Sequence, residues 1–450
     1  MRSKGGPGMS LATRTRGWDH GWKGAQTRPR WLVAWVALTA VVAFDVAVWE
    51  ADASATLRVP EDHPTIQAAI QAAADGDVID VAPGTYAGPI TVDRSVTIVG
   101  RDHDPADPRN DTTVLDGGGS TVVTVARGLV PGPSFVGLSF RNGNDGLSAR
   151  SPIALEHSHF TGNVDHIDFT GASGGVVRNN VFELSGDDAI DVDHPMADLL
   201  VEGNHILTAS DDGIEIRLHD DPLVDPVEIV IRGNRIVGSR RDGIQVIDYY
   251  QDPPRSITIE RNLILDVGMA AIGLMDDAIS NEDFRAASIR ERIGVFHNTI
   301  VGADHGISGG DNLIAVGNIL QGQVVGMKNV DGGSIASHNL FFGNQTDAIG
   351  SVVDETATVR ADPLLDAEHG LSSGSPAIDA GTASFEWGGE VVLTIPEYEG
   401  LAPDLGWIER QGDGSNAPPV GRRCSASPMR GPETFQPSVN DPMMASASAR

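Results

Sequence analysis

The chain has 450 residues, a formal charge of −30 and 40% hydrophobic residues, so it is too apolar for an acidic disordered tail and long enough for a large core. Its 53 glycines and 5% aromatics speak against a helical bundle and for an architecture of tight turns and small side chains. A single cysteine, Cys424, excludes a disulfide framework, a thiolate zinc site and an iron–sulfur centre, so any metal must be held by oxygen or imidazole.

Residues 1–55 hold seven of the 32 basic and four of the 62 acidic residues, so the remainder carries about −33. No basic stripe offsets repulsion by phosphate, and nucleic acid is excluded as a partner. The basic start runs into an apolar stretch from Trp31 to Phe44 and then into Ala51-Asp52-Ala53-Ser54-Ala55, the order of a signal peptide cleaved after Ala55. Extended to Trp49 the stretch reaches 19 residues, the length of an uncleaved anchor, but Asp45 is costly at membrane depth. Cleavage is therefore favoured. The expectation is a secreted or cell-envelope monomer with no membrane segment after processing, in three parts: signal peptide 1–55, folded domain 56–410 and flexible tail 411–450, the last rich in Ser, Pro and Gly.

From His63 to Ala73, the apolar residues Ile66, Ala69, Ile70 and Ala73 recur at helical spacing before the Asp75-Gly76 breaker. So short a helix with one apolar face predicts a cap over an open core end. Strand-like segments follow at Val78–Val81, Gly84–Tyr86, Ile90–Val92 and Val96–Gly100.

Farther on, Asn180, Asn204, Asn234, Asn262, Asn298, Asn318 and Asn339 each precede an apolar residue by two, at steps of 24, 30, 28, 36, 20 and 21 residues. Some eight residues later comes a second column: Asp188-Ala189-Ile190, Asp212-Gly213-Ile214 and Asp242-Gly243-Ile244. Asp145-Gly146-Leu147 and Asp165-His166-Ile167 precede it, and His305-Gly306-Ile307 fills the place later. Such units are too short for helices and too regular for loops, and none can bury an apolar face alone. They predict an all-β fold, a right-handed parallel β-helix (solenoid) with an N-terminal capping helix. Stacking at about 4.8 Å turns the asparagines into a ladder, each expected to sit in a left-handed turn. The long steps predict loops near Leu218–Pro226, Tyr249–Arg255 and Met275–Arg292, all leaving after the second column.

The segment HPTIQAAIQAAADGDVIDVAPGTYAGPITVDRSVTIVG, from His63 to Gly100, resembles the opening cap and first coil of the pectin-lyase-like superfamily of right-handed parallel β-helix proteins. SHNLFFGN, from Ser337, with ADPLLDAEHGLSSGSPAIDAGT and PDLGWIE after it, is similar to the closing segment of secreted repeat proteins of that kind. The likeness spans about residues 57–409 and implies a fold; that fold hosts lyases, hydrolases, esterases, epimerases and non-catalytic proteins.

Alternation from Ile190, Ile214 and Ile244 as inward residues puts Asp191, Glu215 and Gln245 outward one above another, with Asp168 in the same row and Asp193 and Arg217 on the same face. Asp187-Asp188 and Asp211-Asp212 stand at the turns leading in. A turn needs one carboxylate. Carboxylates about 5 Å apart repel by roughly 3 kcal/mol at an effective dielectric near 20, so the row needs a counter-charge, a proton or a cation. Ca²⁺ is the candidate cofactor, with Asp168, Asp191 and Glu215 as ligands.

Three chemistries fit this face: hydrolysis by paired carboxyls, β-elimination assisted by Ca²⁺, and non-catalytic binding in which calcium only quiets the repulsion. Asp168 with Asp187-Asp188 is similar to the acid pattern of polygalacturonases, but where that family carries Gly-His-Gly and Arg-Ile-Lys this chain has Asp211-Asp212-Gly213 and Arg240-Arg241-Asp242. Lys328 lies some five coils from Asp191, about 24 Å, too far to act as base on the same sugar. The catalytic candidates are Asp187, Asp188, Asp211, Asp212, Arg217 and His219. The expected partner is a polysaccharide, bound and cleaved by a lyase or glycoside hydrolase; the alternative is a non-enzymatic surface or envelope protein.

Overall fold

The computed structural model describes residues 54–411, apart from 172, 220–225, 250–254, 277–288 and 290, together with the backbone of 416–417. The expected signal peptide, most of the expected tail and the greater parts of the three expected loops lie outside the described residues.

Strands recur in threes, and each member of a triplet joins a different parallel sheet. Sheet A has 12 strands, from Thr56–Val59 to Ile335–Ser337; sheet B has 11, from Gly84–Ala87 to Leu340–Phe342; sheet C has 11, from Ile90–Val92 to Thr346–Ile349. The chain thus winds A to B to C and steps on by one strand. The apolar alternation of the sequence lies inward in register: Phe140, Phe160, Phe182, Ile206 and Ile236 align in sheet B, and Leu147, Ile167, Ile190, Ile214 and Ile244 in sheet C. All of them are fully buried. The Phe140 and Phe160 rings stack with centroids 4.3 Å apart.

Helix α1 (Ile66–Ala72) covers the first coil as the pattern requires. Its N-cap Thr65 accepts a hydrogen bond from the Ala68 N–H, and Ile66, Ala69 and Ile70 are buried in the main core.

The asparagine ladder forms at the turn from sheet A to sheet B. Each Asn Oδ1 accepts from both the backbone N–H and the Nδ2 of the Asn one coil earlier, as between Asn180 and Asn204 at 3.0 Å each. The same pair of bonds repeats to Asn339. One expectation needs correcting: the left-handed residue is the one before each ladder asparagine, Asn179, Gly203, Gly233, Arg261, His297, Gly317 or His338, with φ between 52° and 79°. The ladder residue must aim both backbone N–H and side chain along the rod, so its predecessor takes the turn.

After the last coil the chain returns over two outer faces. Val392, Leu393 and Ile395 cover outward Phe296, Ile314 and Val316 of sheet A. Leu371, Ala377 and Leu405 cover outward Ile319 and Leu340 of sheet B. Neither cluster includes a sheet C residue. The three expected loops each follow a sheet C strand and precede a sheet A strand, so they root along one edge of that face. Among the described residues no helix is long and apolar enough to cross a membrane.

Candidate functional site

Sheet C carries the acidic row. Ser148, Asp168, Asp191, Glu215 and Gln245 are register partners on successive strands, as the alternation predicts. They point away from the core, yet Asp191 is only 9% exposed and Glu215 6%. The row is outward, as the alternation predicts, but neighbouring side chains shield it from solvent, and Arg217 is one that contacts it.

Arg217, two residues after Glu215, lies on the same face of its strand. Its Nη1 donates to both Asp191 oxygens at 2.9 and 2.8 Å and to Asp193 Oδ1 at 2.7 Å, while Nη2 pairs with Glu215. One cation thus serves three carboxylates. The remaining imbalance shows in protonation: burial first, then the neighbouring acids, pushes Asp168 up to about 7 and Glu215 up to about 8 although Arg217 opposes the latter. Burial likewise raises Asp191, which accepts a hydrogen bond from Glu215. Asp168 Oδ1 is buried with no hydrogen-bond partner among the described residues.

A second column runs beneath the first, at the turn into sheet C. Asp165 Oδ1 accepts from the Asp188 N–H at 3.1 Å, Asp188 from Asp212 at 2.8 Å, Asp212 from Asp242 at 2.6 Å and Asp242 from Ala270 at 2.7 Å. Of the acid pairs, then, Asp188 and Asp212 each commit one oxygen to the next coil's backbone and are nearly buried. Burial raises both well above the carboxylate range, and Asp165 to about 7. Asp187 stays exposed at the rim, and Asp211 is ion-paired with Arg241 at 2.7 Å.

His219, at the end of the Arg217 strand, forms the middle of a stack: His194 lies at 4.7 Å on one side and Tyr249 at 4.7 Å on the other. Burial raises the Tyr249 phenol, which is bonded to Arg217. Asp165, His194 and Tyr249 were not among the expected site residues. A signal for two of them existed: His219 to Tyr249 spans 30 residues, the same step as Asn204 to Asn234, and Asp165 stands in the Asp188 column. Lys328 is five register steps from Asp191 on the same row, as expected from the coil count.

A sequence-family profile described as "right handed beta helix region" matches residues 130–263, the stretch that holds the site. The pectate lyase Pel9A overlays with a TM-score of 0.52 at 16% identity, over 77% of this chain and 91% of that one. The chain has the right-handed parallel β-helix fold. A GH87 α-1,3-glucanase from Streptomyces thermodiastaticus (TM-score 0.35, 15% identity, 68% of each chain) and the PL6 polysaccharide lyase Pedsa3628 from Pseudopedobacter saltans (0.35, 12%, 69% of this chain and 94% of that one) are also similar, at a level that carries no argument. No curated protein matches the chain.

On this β-helical rod, oxygens of Asp188, Asp191 and Glu215 lie within 4.8 Å of one another, as do those of Asp168, Asp191 and Asp193, and of Asp187, Asp188 and Asp211. Oxygens on one Ca²⁺ at about 2.4 Å lie at most about 5 Å apart, so each group has the dimensions of a cation site. The expected triad is split between two of them: Asp168 joins Asp191 and Asp193, whereas Glu215 joins Asp191 and Asp188. Asp191 belongs to both.

Proposed function

We propose that the protein is an extracellular β-helix enzyme that binds an acidic polysaccharide along sheet C and cleaves it by cation-assisted β-elimination. The observation that carries this reading is the convergence of Asp188, Asp191 and Glu215 oxygens within 4.8 Å on the outward face. A general acid and base working on a glycosidic bond flank the sugar rather than share one site, so the grouping favours an ion over a hydrolytic pair. The similarity of the rod to a pectate lyase supports the same substrate class.

Asp188, Asp191 and Glu215 would hold the Ca²⁺, with Asp168 and Asp193 as a second set. A bound Ca²⁺ would supply positive charge beside a uronate carboxylate and so make the adjacent C–H more acidic. Arg217, held charged by its three acids, offers Nη atoms to the same carboxylate. His219 is the candidate proton acceptor, fixed between His194 and Tyr249. Asp187 and Asp211 line the rim and would steer the ion inward.

The test is to incubate the protein with a panel of acidic and neutral polysaccharides, following reducing ends and unsaturated-product absorbance together, with Ca²⁺ and with EDTA. Both signals, with Ca²⁺ only, support the reading; reducing ends alone indicate a hydrolase. A non-catalytic rod is the second reading, favoured by Arg217 already contacting three acids unaided. Silence across the panel would select it.

A further inference from the structure

The outward row of sheet C does not end at the acids. From Glu215 it continues through Gln245, Gly273 and Ser308 to Lys328. Four strand steps put Lys328 about 19 Å from Glu215.

Lys328 is the one lysine after residue 55. Among the described residues no carboxylate lies within ion-pair distance of its Nζ, whereas Arg101, Arg141, Arg178, Arg217, Arg232 and Arg360 all have acid partners. The Lys328 contact is His305, with Nε2 at 3.5 Å. Burial, then the Lys328 charge, lowers the His305 imidazole, which keeps it neutral and able to accept from Nζ.

On the adjacent strand Ser308 is fully buried, and its Oγ has no hydrogen-bond partner among the described residues. A buried hydroxyl without a partner is uncommon and calls for an explanation. An anion seated against Lys328 supplies one. Among the described residues two ammonium protons and the Ser308 hydroxyl are donors without acceptors, registered side by side on one face.

We propose that Lys328, with Ser308 and His305, forms an anion subsite that takes a carboxylate of an acidic sugar. Its use for a polysaccharide rests on the function proposed above. The face then has two ends of opposite character: at Asp191 and Glu215 a uronate is recognised through a cation, and at Lys328 directly by a donor. A chain engaging both must span about 19 Å, so short oligomers gain nothing from Lys328.

The experiment uses the full chain with its lysines labelled at ¹³Cε, the Lys328 resonance being assigned by its loss in Lys328→Arg. Sodium glucuronate, glucose and sodium chloride at matched ionic strength are titrated in turn, followed by short and long oligouronates. The Lys328 signal is expected to move saturably with glucuronate and not with glucose or chloride. Lys328→Gln should weaken the binding of long oligouronates about three- to tenfold, leave short ones unchanged, and melt as wild type. A signal that glucuronate leaves in place, or that chloride moves equally, overturns the subsite. Long oligouronates that bind while Lys328 stays unmoved overturn it too, and leave the proposed function standing. A Lys328 that takes glucuronate while no polysaccharide is bound or cleaved upholds the anion site and removes the function.

Discussion

The Asn180–Asn339 column and the Asp165–Asp242 column are built from side chains of nearly one shape, at two corners of the same coils, yet they reach opposite electrostatic states. In both, a side-chain oxygen accepts a backbone N–H from a neighbouring coil, at 2.9–3.0 Å for the amides and 2.6–3.1 Å for the carboxylates. An amide brings its own donor, so Nδ2 closes a second bond to the next Oδ1 and a third to a backbone carbonyl. A carboxylate brings a charge and no donor. The amide column is complete as folded, whereas the acid column and the row above it are complete only with protons, Arg217 or a cation. The first column is structural, and the second carries the proposed function.

The largest effect should come from turning the first column into the second. Asn262 is fully buried and donates Nδ2 to the Ile231 carbonyl at 2.9 Å and to Asn298 Oδ1 at 3.0 Å. Asn262→Asp replaces both donations with facing oxygens and should cost about 3–5 kcal/mol in denaturant unfolding. A loss under about 1 kcal/mol would show that the amide donors are dispensable.

Next comes the counter-charge. Arg217→Gln removes the guanidinium bonded to Asp191, Asp193 and Glu215, and in EDTA should cost about 2–3 kcal/mol. Saturating Ca²⁺ should restore most of it. A loss that calcium does not repair would mean that Arg217 packs rather than neutralises.

The acid column also sets a pH dependence. Asp165 and Asp168 at about 7 and Glu215 at about 8 all lie above their ordinary 3.8, 3.8 and 4.5. Between those limits the native state binds more protons than the unfolded one, so in EDTA stability should fall as pH rises from about 4 to about 8. Ca²⁺ must displace those protons, and its affinity should rise over the upper part of that range. Melts that strengthen with pH in EDTA would reverse the assigned protonation.

How much of this was legible in sequence follows from the same contrast. The coil register was readable because the Asn step and the inward Ile or Phe recur together, so that Asp191, Glu215 and Gln245 could be aligned before any coordinates. The left-handed residue was misplaced by one because a repeat fixes which residues align but not which φ each adopts. The shielding of Asp191 and Glu215 was missed since alternation gives the face a side chain leaves from, not what folds over it. Asp188 and Asp212 could be named but not resolved between turn and site; the hydrogen bonds show one oxygen of each committed to backbone.

The effect most informative on function is that of calcium itself. If Asp188, Asp191 and Glu215 hold the ion, Ca²⁺ at a hundredfold excess over its dissociation constant should stabilise the native state by about 2.7 kcal/mol, seen as a melting temperature several degrees above that in EDTA. Asp191→Asn with Glu215→Gln should abolish that difference while keeping the fold, and should melt in EDTA at or slightly above wild type because the repulsion is gone. A wild-type melt that is the same in Ca²⁺ and in EDTA would contradict the account, leaving the acidic row to be neutralised by protons and Arg217 alone.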